Sequence, residues 1–324
     1  MRTVTKVFLI IAASLTLAGL ILFGGAMIMM KWDFTNFFIP QYETNEYTVT
    51  EDYKSISLSS NTADIVFLPS ENESTSVVCY EQKNVKHSVT VTEDTLTVTV
   101  NDTRKWYEFI SFLSRAPKIT VYLPQSEYAT LTVKESTGDI TVPQDFTFTA
   151  VDITVSTGDV RLCASASDAI KIRATTGDIN VGNLSAASLD ISLSTGDVTV
   201  SHVTCTGDFS IKVTTGDTEL SDVTCKTLTS TGSTGDLELE HVIAEEKLVI
   251  ERSTGDVELD DTDAAEIFIK TDTGDVTGRL LSEKVFITKT DTGRINVPNS
   301  ITGGRCEITT DTGNIRITVS ERRT

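Results

Sequence analysis

The apolar and polar positions of this chain repeat in step with a turn. Thr-Gly-Asp stands at 137–139, 157–159, 176–178, 195–197, 215–217, 234–236, 254–256 and 273–275. The variants Thr292-Gly293-Arg294 and Thr312-Gly313-Asn314 follow, and successive glycines lie 19 or 20 residues apart. Seven and five residues before each glycine the chain is mostly apolar, as at Leu131 and Val133, Ile170 and Ile172, Ile267 and Ile269. Two and four residues after it the same holds, as at Ile140 and Val142, Val160 and Leu162, Leu237 and Leu239. A spacing of two is the strand period, so each repeat reads as two short strands, each apolar on one face, with Thr-Gly at the corner between them. Glycine supplies the positive φ of a tight corner, and the Asp beside it can accept backbone N–H bonds.

One such repeat cannot bury its apolar face alone. Stacked repeats close a continuous core and pair each strand with its equivalent in the next coil. The predicted fold is therefore all-β: a parallel β-solenoid of about 19–20 residues per coil, right-handed by the general preference of parallel crossovers. A sandwich of antiparallel hairpins is the competing reading, but it has no reason to repeat one residue type at ten corners. The Thr-Gly-Asp at 206–208 is out of phase and reads as coincidence. The columns extend upstream, where Thr62-Ala63-Asp64 has Ile56 and Leu58 before it and Ile65 and Phe67 after it at the same offsets. The weakest coil is expected at 228–242, where Ser230 and Gly232 replace core residues.

At the N-terminus the pattern changes. Residues 7–30 carry no charge, and about 20 apolar residues suffice to cross a bilayer as a helix. Arg2 and Lys6 precede the run and Trp32 follows it, which predicts a single-pass anchor in the cell membrane with a cytoplasmic N-terminus and the rest of the chain outside. The run is longer than a signal-peptide core, and no cleavage site follows it. The expected organisation is a cytoplasmic tail at 1–6, a transmembrane helix at 7–30, a stalk at 31–50, irregular N-terminal coils at 51–130 and the regular solenoid at 131–320. Within 51–130, Trp106, Phe109, Ile110 and Leu113 fall at helical spacing, so 104–115 is read as a cap insertion over one end.

A net charge of −19 argues against nucleic acid and anionic lipid headgroups as partners and favours cations and basic proteins. The five cysteines show no metal-binding spacing and read as free, small apolar residues.

The run of Ser-Thr-Gly-Asp-Val coils behind one N-terminal apolar helix resembles a bacterial family of membrane-anchored β-strand-repeat proteins, a domain of unknown function known as “putative adhesins”. The blocks Ser57-Leu58-Ser59-Ser60-Asn61-Thr62-Ala63-Asp64-Ile65 and Pro117-Lys118-Ile119-Thr120-Val121-Tyr122-Leu123-Pro124 share the resemblance. It implies a solenoid at the cell envelope, near stress-responsive or regulatory systems, and it carries over no catalytic residues.

Candidate chemistry is sparse. Asp139, Asp159, Asp178, Asp197, Asp217, Asp236, Asp256 and Asp275 form one column, about 5 Å apart in a stacked solenoid. They read first as turn caps and second as a weak cation ladder, Ca²⁺ being the fitting ion; no other cofactor is expected. His202, Asp222 and His241 share a second column, with the two histidines two rungs apart and too distant for one ion. Motifs for zinc proteolysis, serine hydrolysis and phosphate binding are absent from the sequence, and the corners are short. The expected function is a non-enzymatic interaction or adhesion-type module with a protein or cell-surface partner. The alternatives are a regulatory accessory of an envelope-stress system and a polysaccharide-active β-helix enzyme.

Overall fold

The computed structural model describes residues 3–29, 41–104 and 116–320. They fall into two compact units, Met1–Glu43 with Gln82–Lys86 and Asp102–Arg115, and Thr44–Glu81 with His87–Asn101 and Ala116–Thr324. The first holds the one helix among the described residues, α1 (Thr3–Met29), which is long and apolar enough to cross a membrane. At 1.5 Å per residue it spans about 40 Å. The second unit is the solenoid.

Neighbouring coils pair parallel and in the register the columns require. Val151, Ile153 and Thr157 lie beside Ile170, Ile172 and Thr176, and these beside Leu189, Ile191 and Thr195. The strand Ala169–Thr176 alternates buried and exposed side chains through Ile170, Ile172 and Ala174. Burial of each Ile, Leu or Val is worth about 1.5–3 kcal/mol, and a slip by one residue would turn a whole column to water. The interior has a third column that the sequence pattern hid, three residues before each glycine: Val155, Ala174, Leu193 and Val213 are buried there. It was hidden because polar residues interrupt it at Glu135, Arg252, Thr271 and Thr310, all of them buried.

At the coil expected to be weakest, Arg252 reaches in from the next rung. Its Nη2 donates to Thr218 Oγ1 and Ser230 Oγ, both at 3.1 Å. A methyl group at residue 232 would overlap its Nη1. The small residues are thus matched by one long side chain.

The upstream coil is where the columns put it, since Ile56 and Leu58 pair with Leu131 and Val133 and Ile65 pairs with Ile140. The stacking order, however, does not follow the chain at either end. On its other side the coil 55–69 carries Thr95–Asp102 and Lys118–Leu123, in parallel. Thr75–Gln82 then covers Lys118–Leu123 in antiparallel pairing. A two-residue turn at Glu93 and Asp94, both at positive φ, folds Val85–Thr92 beside Thr95–Asp102. At the other end Gly304–Thr312 inserts between Val257–Thr273 and Lys284–Thr292. The coil at 284–296, not the last coil in sequence, is outermost.

One expected segment differs. The second half of the stalk at 31–50 is a strand, Tyr42–Val49. It is held because Tyr47 donates to the His87 carbonyl at 2.9 Å and Asn45 to Glu81 Oε1 at 2.6 Å. The first half of the stalk, and the cap insertion beyond Arg104, lie outside the described residues.

Candidate functional site

The Asp column is a hydrogen-bonded ladder. Asp159 N donates to Asp139 Oδ1 at 2.9 Å, Asp178 N to Asp159 Oδ1 at 2.8 Å, and so on without a break to Asp275. The series begins one rung earlier than expected, at Asp64, and runs on through Asn314 to Arg294. Each carboxylate thus satisfies the corner N–H of the next coil, a charge-assisted bond at every rung. Ladder carboxylates form no group of three ligand atoms within 4.8 Å among the described residues.

The histidine column has a backbone cause. Asn183, His202, Asp222, His241 and Asp261 all sit at φ of 48–56° at the second corner. Asn, Asp and His tolerate this left-handed conformation best, which selects them there. Asp222 lies between the two histidines, 3.2 Å from His202 Nδ1 and 3.6 Å from His241 Nδ1. Hydrogen bonding from Arg279 holds Asp261 below the usual carboxylate range. The structure brings neighbours together pairwise, half-exposed, and does not converge three ligands on a point.

A denser polar cluster lies where sequence reasoning placed none. Glu81 Oε2 accepts from His87 N at 2.6 Å and lies 2.7 Å from His87 Nδ1, while Ser60 Oγ lies 3.1 Å from His87 Nε2. All three residues are buried, and Cys79 is beside them. Glu135, one rung below Ser60, takes N–H bonds on Oε1 from Ser136 at 3.0 Å and Thr137 at 3.2 Å; its Oε2 has no partner. Burial pushes the Glu135 carboxyl up to about 7, against the pull of those N–H groups and of the Ser60 hydroxyl. With Glu81, His87 and Ser60 all bonded within the fold, this cluster reads as the polar seam that closes the N-terminal end of the core. Its residues are distant in sequence and were invisible to the glycine alignment.

The five cysteines are free, four of them buried. Burial pushes Cys205 up to about 11 and Cys225 up to about 12, so they behave as apolar filling.

The surface that differs most from the rest is the outermost coil. Among the described residues, Lys284–Thr292 pairs only with Gly304–Thr312 and Ile295–Asn296 only with Ile315–Val319, so within them both strands present a free edge. Outside α1, six large apolar side chains are exposed among the described residues, and five of them, Leu281, Val285, Ile287, Ile295 and Ile301, belong to this end. Ile301 is 90% exposed. Beside it lies a depression of about 850 Å³ lined by Leu281, Pro298, Ile301 and Val319, among others. Pro298 shows why the coil stops here: its second arm is only the two-residue strand Ile295–Asn296.

The family model of Toastrack DUF4097 matches residues 53–211 and 204–324. No curated protein matches the chain. Among solved structures, the chain is similar to a “putative adhesin” from Parabacteroides distasonis at 11% identity, covering 86% of this chain and 98% of that one, with a TM-score of 0.46. A “putative adhesin” from Parabacteroides merdae matches at 10% identity over 86% and 96%, with a TM-score of 0.40. A “putative lipid binding protein” from Parabacteroides distasonis matches at 14% identity over 86% and 97%, also with a TM-score of 0.40.

Proposed function

The chain belongs to the Toastrack DUF4097 family, and from that premise and the open end of its solenoid we propose a non-enzymatic, adhesion-type binding protein of the bacterial cell envelope. The helix α1 anchors it in the membrane, and the solenoid stands outside the cytoplasm as a rigid acidic support. The partner is another polypeptide that adds an extended strand to the edge of Lys284–Thr292.

One observation carries this reading: among the described residues, an edge and an apolar coil at 281–301 are left uncovered. An unpaired edge offers a row of backbone N–H and C=O groups to an incoming strand, and the flanking side chains select it. The sides of the solenoid, by contrast, are mostly polar and already paired rung to rung.

Photo-crosslinking tests the reading. A photoreactive residue replacing Ile287 in the full chain, in its native envelope, is expected to capture polypeptide. The same residue replacing Lys212, exposed in the middle of the solenoid, is expected to capture none. Capture from 212 alone, or from neither position, would refute the open end as the binding surface.

A further inference from the structure

We propose that the strand added to this edge comes from a second copy of the same chain, so that two solenoids join end to end across a two-fold axis. This rests on the reading of the open end as the binding surface, and it names the partner.

The two ends of the solenoid differ in closure. Among the described residues, both arms of the opposite terminal coil are covered, Lys118–Leu123 by Thr75–Gln82 and Thr95–Asp102 by Val85–Thr92. Head-to-tail stacking needs two open ends and would run on into a filament. With one uncovered terminal coil among the described residues, a copy of the chain can satisfy it only by an isologous contact, which stops at two. The two edge strands then meet antiparallel, the geometry a two-fold axis imposes.

The charge distribution favours the same contact. Residues 276–324 carry eight Lys and Arg against five Asp and Glu, a net +3, which leaves −22 on the rest of the chain. Side-by-side association of two such bodies is opposed by repulsion along their whole length. The open end escapes this, since 281–300 holds Glu283, Asp291, Lys284, Lys289 and Arg294, a net +1. The charges on the edge strand are also self-complementary. Lys289 and Asp291 flank Thr290 and pair with each other at 3.0 Å in the single chain, both well exposed. An antiparallel pairing centred on Thr290 sets Lys289 of each copy opposite Asp291 of the other. Opposite charges across an antiparallel pair attract, and like charges repel.

The experiment is sedimentation of the full chain in detergent micelles as a function of concentration. The expected result is a monomer–dimer equilibrium with nothing larger. Lys289→Asp and Asp291→Lys should each weaken the dimer by roughly tenfold, because the two-fold counts every substitution twice. The double exchange Lys289→Asp with Asp291→Lys should restore it. Rescue separates this interface from any contact between the membrane helices, which the exchange leaves untouched. A chain that stays monomeric, that grows beyond two, or that dimerises with indifference to both charge exchanges would overturn the inference. If position 287 nevertheless crosslinks a different polypeptide, the second copy is wrong and the open-end reading stands. If position 287 captures nothing, both fall.

Discussion

Gly216→Ala is expected to destabilise the solenoid by about 3–5 kcal/mol, more than any single change to a surface side chain. Gly216 has a φ of +136°, a region that only glycine enters without strain. A methyl group there would also overlap the carbonyl oxygen of Gly196 on the rung below. That carbonyl cannot retreat easily, because Gly196 N and Gly216 N are themselves bonded to the corners above, at Thr215 and Thr234. Strain and overlap therefore add. Urea unfolding followed by circular dichroism measures the loss, and a change below about 1 kcal/mol would mean that the corners are looser than the stacking implies.

The second large effect depends on pH and resides in Glu135. Burial raises its folded pKa to about 7, above the value of about 4.3 for an exposed Glu. An acid whose folded pKa is raised favours the folded state in its neutral form. Its contribution is intact below about pH 4 and is lost as pH rises through about 7. By about pH 8 the buried carboxylate, with Oε2 unpartnered, should cost roughly 2 kcal/mol after allowance for screening. Glu135→Gln keeps the shape and removes the charge. The variant is expected to match the parent near pH 4 and to be more stable near pH 8, as read by melting temperature across the range. Parallel pH profiles of parent and variant would refute this account of the seam.

These two residues show what the sequence could and could not disclose. Gly216 is one of ten glycines in step, and the columns around it at Phe209, Ile211, Leu220 and Thr218 announce strand, corner and register together. The periodic part of the fold was legible because every coil solves the same burial problem with the same residue types. The upstream coil at Ile56–Phe67 obeyed the same offsets and was legible too. Glu135 and Arg252 were not, because a buried polar residue in an apolar column looks like a surface residue until its neighbours are known. The stacking order was equally hidden. Cys306 and Phe286 occupy the same column, and periodicity alone does not say which of them lies against Ile267. Pro298 was the available signal, since a coil whose second arm breaks at a proline supports no further rung and belongs at an end. The spacing of His202, Asp222 and His241 discloses their stack, but its cause, a left-handed corner, is visible only in the backbone.

Binding through the open end requires the edge of Lys284–Thr292 to be free in the single chain and filled in the complex. Amide hydrogen exchange across 284–296 measures this directly. In dilute chain, the amides of this strand that face away from Gly304–Thr312 should exchange as fast as exposed ones, while those of Ala169–Thr176 exchange slowly. Raising the concentration until the partner strand is in place should slow the fast set and leave the rest unchanged. Fast amides that stay fast when the chain is bound, or slow ones already in the dilute chain, would contradict it.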